Sequence, residues 1–592
     1  MKATHFSILG RTMFSLLILA TLPILLVTVA AAQKGSITGR VITDEGAGLP
    51  GITLTIQAYS DGSPSAPGSR AKAATTDAEG NFQFTNLEPR AYSIYVQSGR
   101  GYVQETPFDP GKRTLYRLGE QATIRMLKGG VITGRVTNAS DEPMIGVNVM
   151  AIRIRDAEGN KTDVSTGGRN RRTDDRGIFR LYSLPPGTYV VVANLGSQNF
   201  REMSAYGDLS PTYHLSSTQD TAIQLTVVNG AELTSVDIRH RGDRGFAVSG
   251  KVIGGNIRSS TFIPVSTILL SSVPSGGRAG QAYASRLDNE SGFAMYGVAD
   301  GDYEIVASSS GSNPEDNFRS EPRRISVRGA DVTGIELRLT AMASISGRIT
   351  LEPATNACTP PTKSVVEETV ITVRREEKPL LTASVSPTFL PTIAANETGE
   401  FKLNSIPPGR YRLALNPPNE NWFVKSISSS SSSPTPAVAG KSAPTPTAKT
   451  DFARLGMALK VGEQLTGVAV TLTEGAASLR GKVTAKAGGK LPAHLRVHLI
   501  PAEATAAPST DDVLRYGEVL TSDGSFAFTN FAPGKYWLLA RAVAESEPAD
   551  RLPSPVAWDA AERRKLRKEA EAAKTEIELK ACQRVKDFVL RF

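Results

Sequence analysis

Apolar and polar residues alternate with a period of two over many short stretches of the chain, the pattern of strands with one buried and one exposed face. One such stretch recurs five times: SITGRV at Gly39, VITGRV at Gly134, AVSGKV at Gly250, SISGRI at Gly347 and SLRGKV at Gly481. The copies are unequally spaced, so loops of variable length interrupt a constant scaffold. Each start is followed by a polar turn and a second alternating stretch, as TTDAEGNFQF, RTDDRGIFRL, RLDNESGFAM, ANETGEFKL and TSDGSFAF. The turns carry Gly80, Gly177, Gly292, Gly399 and Gly524, and the strands begin at Phe82, Phe179, Phe293, Phe401 and Phe526. Glycine suits a tight turn that needs positive φ.

A third stretch follows as NLEPRAYSIYV, SLPPGTYVVVA, GVADGDYEIVA, SIPPGRYRLAL and NFAPGKYWLLA. Tyr92, Tyr189, Tyr303, Tyr411 and Tyr536 each open a period-two strand, so the tyrosine and the residues two and four later share the core face. A tyrosine just after a Pro/Gly turn is placed to bond its hydroxyl back to nearby backbone, as in a tyrosine corner. Closing strands such as IQLTVVNGAELTSVDIRH, ISVRGADVTGIELRL and LKVGEQLTGVAVTL end most copies. Short strands, frequent turns and almost no helix predict an all-β fold of five tandem β-sandwiches. Their expected spans are 33–129, 130–243, 244–341, 342–475 and 476–592.

These residues resemble carboxypeptidase regulatory-like domains, transthyretin-like and Ig-like sandwiches related to collagen-adhesin B repeats and starch-binding-type folds. The resemblance covers nearly all of the chain after residue 32, and its most specific part runs from TDAEGNF to LPPGTY. Repeat three departs, with ADGDY before its strand and without the continuation seen in EGAGLPGITL and DEPMIGVNV. The resemblance implies a bacterial envelope or extracellular protein, in some cases with a carbohydrate-binding-like fold. It implies no peptidase activity, because the catalytic domain of the namesake enzymes is a separate one.

Two stretches break the repetition. KSISSSSSSPTPAVAGKSAPTPTAKT, 425–450, has too few apolar residues to fold and reads as a Ser/Pro/Thr-rich insertion in repeat four. WDAAERRKLRKEAEAAK predicts one short C-terminal helix, with Asp559 and Glu562 suited to a capping box. Lys565 with Glu569, and Arg567 with Glu571, are spaced as i,i+4 pairs on it. The helix is expected to cover Trp537 and Leu539 on the outward face of repeat five, and EIELKACQRVKDFVLRF is expected to be the closing strand.

The length of 592 residues exceeds a single core, and 53 Gly with 36 Pro fit a turn-rich globular chain. Lys2 and Arg11, an apolar run from Met13 to Val29, and Ala30 to Ala32 read as an export signal over 1–32, which would anchor the chain in a membrane if left uncleaved. Net charge is +9, and the basic clusters around Arg171 and Arg323 lack the interleaved aromatics of a nucleic-acid site, so no nucleic-acid partner is expected. Cys358 and Cys582 are the two cysteines; they fall in different repeats, and either a bridge between them or two separate thiols is consistent with an oxidising compartment.

No constellation of catalytic residues stands out. His494 and His498 have helical zinc spacing, but AHLRVHLIP alternates as a strand, which holds them too far apart to share a metal. Acidic turns at Asp77, Glu79, Asp174 and Asp175 offer few oxygens for calcium, and no cofactor is implied. Arg241, Gly242 and Asp243 form an RGD tripeptide between repeats two and three. Stacking on sugar rings would draw on aromatics in loops, and Trp422 with Phe423, and Tyr206 with Tyr213, are the candidates. The expected function is an exported, non-catalytic binding or scaffold protein that contacts polysaccharide or another envelope or extracellular component; the alternative is a passive stalk or protein adhesin without sugar binding.

Overall fold

The computed structural model describes residues 35–592 except 60–70, 105–113, 158, 160–168, 196–204, 255–264, 273–281, 288–290, 311–316, 353–357, 359–364, 377–390, 430–448, 486–488, 493, 504–512 and 544–557. Residues 1–32, expected to be an export signal, and most of the Ser/Pro/Thr-rich stretch lie outside the described residues. The described chain is five tandem β-sandwiches, four of them built from two separate sheets and the third from a single sheet folded over on itself.

In every repeat the Gly-containing first strand lies at the centre of one sheet. It pairs antiparallel with the Phe strand and parallel with the closing strand, as Gly35–Thr43 does with Asn81–Leu87 and Gln121–Lys128. The parallel pairing explains the repeated glycine. A Cβ on Gly39, Gly134, Gly250, Gly347 or Gly481 would collide with the backbone carbonyl of Ala122, Val236, Ile335, Val468 or Phe588 on the facing strand. The second sheet carries the Tyr strand beside a second strand of the same repeat, as Tyr92–Ser98 pairs with Thr53–Ala58.

The tyrosines are buried in the cores, and the hydroxyls of Tyr92, Tyr189, Tyr303 and Tyr536 donate to the carbonyls of Glu88, Pro185, Ala299 and Ala532 at 2.9, 2.6, 2.8 and 2.6 Å. Repeat three keeps this corner although its turn reads ADGDY. Burial pushes the Tyr92 hydroxyl up to about 12, so it remains a donor at any physiological pH.

Successive sandwiches follow with little intervening chain. The closing strand Gln121–Lys128 is separated from the next first strand, Gly130–Thr137, by Gly129 alone, and Val332–Ala341 from Ala343–Glu352 by Met342 alone. In repeat three the two sheets join into one of eight strands, because Phe318–Ser320 pairs with both Gly301–Ser310 and Val332–Ala341.

The C-terminal helix forms over Ala560–Ala573, with Asp559 accepting from the amides of Ala561 and Glu562 at 2.7 and 3.1 Å. Leu566 and Ala570 pack on Ile500, Trp537 and Leu539, and Arg567 stacks over Trp537 at 5.6 Å. Among the described residues, two further α-helices are single turns, Val365–Glu368 and Phe452–Leu455. The spacing of charges on the long helix pointed to i,i+4 pairs, yet Glu569 bonds Arg541 on the underlying sheet at 2.9 Å and Arg567 bonds the carbonyl of Ala502 at 3.1 Å. Contacts to the sheet hold these groups in place of neighbours on an exposed surface. The expected single closing strand of repeat five is two strands in different sheets: Glu576–Leu579 beside Gly534–Ala542, and Arg584–Arg591 beside Ala477–Thr484.

Candidate functional site at the junctions between sandwiches

Near the end of each Phe strand one residue that is skipped in the pairing is held at positive φ: Asn86 at 58°, Ser183 at 58°, Gly297 at 68°, Ser405 at 61° and Asn530 at 63°. Each sits at a register shift in the pairing with the first strand. Such a bulge re-aims the chain away from the sheet. In repeats two to five the preceding sandwich docks there. A Cβ on Gly129 would lie 2.6 Å from the Cα of Ser183, and one on Gly297 would lie 2.6 Å from the carbonyl oxygen of Leu209, so both glycines permit close backbone approach. Asn317 of repeat three donates to the Ser405 hydroxyl at 2.6 Å, and Asn530 donates to the carbonyls of Asn419 and Trp422 at 2.6 and 2.8 Å. Asn86 of repeat one is exposed.

The joint between repeats two and three is apolar. Ile152, Val190, Val192, Leu195 and Tyr213 of repeat two pack in one cluster with Ile268, Leu270, Tyr283, Tyr303 and Ile305 of repeat three. Tyr189, Val191 and Ala193 of the same strand face repeat two's own core. That strand is therefore buried on both faces, which its unbroken run Val190–Ala193 encodes.

The joint between repeats four and five is mainly polar and covalent, with Leu514 of repeat five packed against the core of repeat four. Cys358 and Cys582 are disulfide-bonded, and the Cys358 amide donates to Glu474 at 3.1 Å. Glu420 pairs with Arg480, which with Arg584 holds its carboxyl below the usual carboxylate range against the opposing effect of burial. Arg584 also donates to the carbonyl of Glu420 at 2.7 Å and to Asn421 at 2.5 Å. Trp558, at the head of the C-terminal helix, lies 5.3 Å from the guanidinium of Arg374 and 5.5 Å from that of Arg412 in repeat four.

Repeat one folds back on repeat four. Tyr59, Ala91 and Leu115 pack against Val370 and Ala394. Arg117, buried, lies 3.9 Å from the fully buried Glu368 and donates to the carbonyl of Pro417 at 3.0 Å and to Asn416 at 3.2 Å. Repeats one to four thus form a closed circuit.

The aromatics expected to stack on sugars do not present open faces. Trp422 is 7% exposed in the core of repeat four, at the start of the strand Trp422–Ser429 rather than in a loop. Phe423 is half-buried in the same strand, opposite Thr473. The strand continues through Lys425–Ser429, so the expected insertion starts later than 425. Tyr213 is 1% exposed in the shared core, and Tyr206 is half-buried against the core of repeat two. The exposed aromatics among the described residues include Tyr182 and Tyr296, on the outward faces of Phe strands, with the Arg171 guanidinium 4.6 Å over the Tyr182 ring.

Asp77 and Asp174 accept amide hydrogens from Asn81 and Ile178 at 2.7 and 2.8 Å, closing their own turns and lowering both carboxyls. Arg241 and Asp243 pair with each other at 2.5 Å. His498 is buried in the strand Leu495–Pro501. Among the described residues no group of three or more His, Cys, Asp and Glu side chains could hold a metal, and no helix is long and apolar enough to cross a membrane.

None of the curated proteins compared matches the chain. Among solved structures, the TIE protein of Bacillus anthracis aligns at 11% identity and a TM-score of 0.14, over 52% of this chain and 50% of that one, about half its length. The minor pilin GBS52 of Streptococcus agalactiae aligns at 13% identity and a TM-score of 0.19, over 35% of this chain and 96% of that one. The major pilin subunit BcpA of Bacillus cereus aligns at 10% identity and a TM-score of 0.13, over 52% of this chain and 99% of that one. Residues 36–116 and 131–230, most of the first two sandwiches, match the family model of the carboxypeptidase regulatory-like domain.

Proposed function

We propose that the protein is an exported, non-catalytic scaffold of the bacterial cell envelope that holds loops in fixed positions for a polysaccharide or protein component. Its working body is five sandwiches with boundaries near 129, 243, 341 and 475, which fall between a closing strand and the next first strand or, at 243, in the linker that carries the RGD tripeptide. The observation that carries this reading is the junction design. Each of repeats two to five receives its predecessor at the same bulge, and repeat one closes back on repeat four through buried Arg117. Fixed joints suit a frame better than a flexible string of beads, for which exposed linkers with few crossing contacts are the rule.

The test is to probe the exported chain against a glycan array and against solubilised envelope fractions, in parallel with assays for peptide and glycoside hydrolysis. Saturable binding without turnover supports the scaffold. Hydrolysis that a single acidic-to-amide substitution abolishes would overturn it. Sugar binding, if found, is expected to use Tyr182 or Tyr296, which are exposed, and Tyr182→Ala should weaken it while leaving the fold intact.

A further inference from the structure

The turn before each closing strand repeats across the molecule as LGEQ, NGAE, RGAD and VGEQ in repeats one to four and as ACQR in repeat five. Its second residue is at positive φ in every copy: Gly119 at 77°, Gly230 at 67°, Gly329 at 63°, Gly462 at 65° and Cys582 at 62°. The surrounding bonds match as well. Glu120, Glu463 and Gln583 accept the amides of Arg117, Lys460 and Lys580 at 2.9, 2.7 and 2.7 Å. Cys582 therefore stands where four sister repeats place glycine, in a conformation that side chains other than Gly, Asn and Asp rarely adopt.

The same position looks across a junction. The amides of Gly230, Gly462 and Cys582 donate to Lys128, Ala341 and Gly475, at the end of the preceding sandwich. A Cβ on Gly230 would meet the Lys128 side chain at 2.9 Å, and one on Gly462 would meet Ala341 at 3.5 Å. In repeats two and four a side chain placed here would point at the previous repeat, and at 582 it reaches Cys358 of repeat four across 224 residues of sequence.

We infer that the Cys358–Cys582 bond is a redox-operated lock, which fixes repeat five on repeat four and at the same time holds the closing turn in a conformation its residue would otherwise resist. Closing the lock joins the two sulfurs, releases two protons and passes two electrons to a disulfide or other thiol oxidant; a dithiol reverses it. Reduction therefore loosens two things together, the docking of repeat five and its own closing turn. Repeats one to three, which contain no cysteine, are unaffected.

Amide hydrogen exchange on the oxidised and dithiothreitol-treated full-length protein, and on Cys358→Ser, Cys582→Ser and Cys582→Gly, tests this. Reduction and all three variants should speed exchange at the 4–5 joint, around 419–422 and 478–480, and leave 35–341 unchanged. In the turn 580–584, Cys582→Gly should exchange roughly fivefold more slowly than Cys582→Ser, because glycine relieves the left-handed penalty. Unchanged exchange in 475–592 on reduction, a uniform change over the whole chain, or identical turns in the Gly and Ser variants would overturn the inference.

Discussion

Two joints of the molecule solve one problem by opposite means. Between repeats two and three, a strand apolar on both faces merges two cores, and Tyr213 fills the seam. Between repeats four and five, the facing groups are mostly arginines, glutamates and asparagines, joined by a tryptophan and by Leu514 on the core of repeat four, and a disulfide spans them. The apolar joint draws on the hydrophobic effect, which is non-directional and grows with buried area. The polar joint gains little from each pair, since hydrogen bonds and partly exposed ion pairs contribute about 1 kcal/mol or less. It relies on geometry and on the covalent bond. An apolar seam makes two repeats one cooperative unit, whereas a polar seam with a covalent lock leaves them separable.

The largest effect should come from the apolar side. Tyr213→Ala removes a buried aromatic from the shared core and should destabilise repeats two and three by about 3–5 kcal/mol. Scanning calorimetry should then show their joint transition split or shifted while that of repeat five stays in place. A unified shift of all five repeats would erase the distinction between the two joints.

Next is the closure of repeat one on repeat four. Arg117→Ala removes the guanidinium 3.9 Å from the fully buried Glu368 and should cost about 3 kcal/mol at that contact. Burial already lowers the Arg117 guanidinium against the pull of Glu120 and Glu368, so the pair sits in a poorly solvated place. Proteolysis near 88–91 and 115–117 reports the opening, and resistance equal to the parent protein would show that the apolar contacts alone suffice.

The smallest expected effect is a pH dependence confined to repeat five. His498 shares the strand face of Ile500 beneath the C-terminal helix, and burial, with Arg541 and Arg496 beside it, pushes it down to about 3. Glu518 at 3.9 Å and Glu569, bound to Arg541, are the nearby acids. The folded state keeps the imidazole neutral while the unfolded chain takes up a proton below about pH 6.5, so stability is full above that pH and declines as pH falls toward 3. The loss should reach about 2 kcal/mol by pH 5. Denaturant melts of the parent and of His498→Gln at pH 7.5 and 5 measure it, and equal slopes with pH would remove His498 from the account.

The repeated local motifs made the sandwich architecture legible. Gly39 and its four counterparts, the Phe strands and the corner tyrosines are each set by neighbours within a few residues, so their roles can be read in order along the chain. Outward faces also carried information: Val190 and Val192 mark a covered face, and Trp537 with Leu539 mark the seat of the helix. The joints were mostly hidden. Arg117 and Glu368 are 251 residues apart, and Cys358 and Cys582 are 224 apart, so no local pattern pairs them. Trp422 and Tyr213 looked like loop aromatics because they lie outside the motifs; their neighbours in space, not in sequence, bury them. The split of the last closing strand could have been read from alignment of ACQR with VGEQ, which marks Cys582 as a turn residue.

The closed circuit is the claim on which the scaffold reading rests, and small-angle X-ray scattering of the oxidised protein in dilute solution tests it directly. A maximum dimension well short of five sandwiches laid end to end, and larger in Arg117→Ala, is the result predicted. A parent profile already as long as that extended row would contradict it.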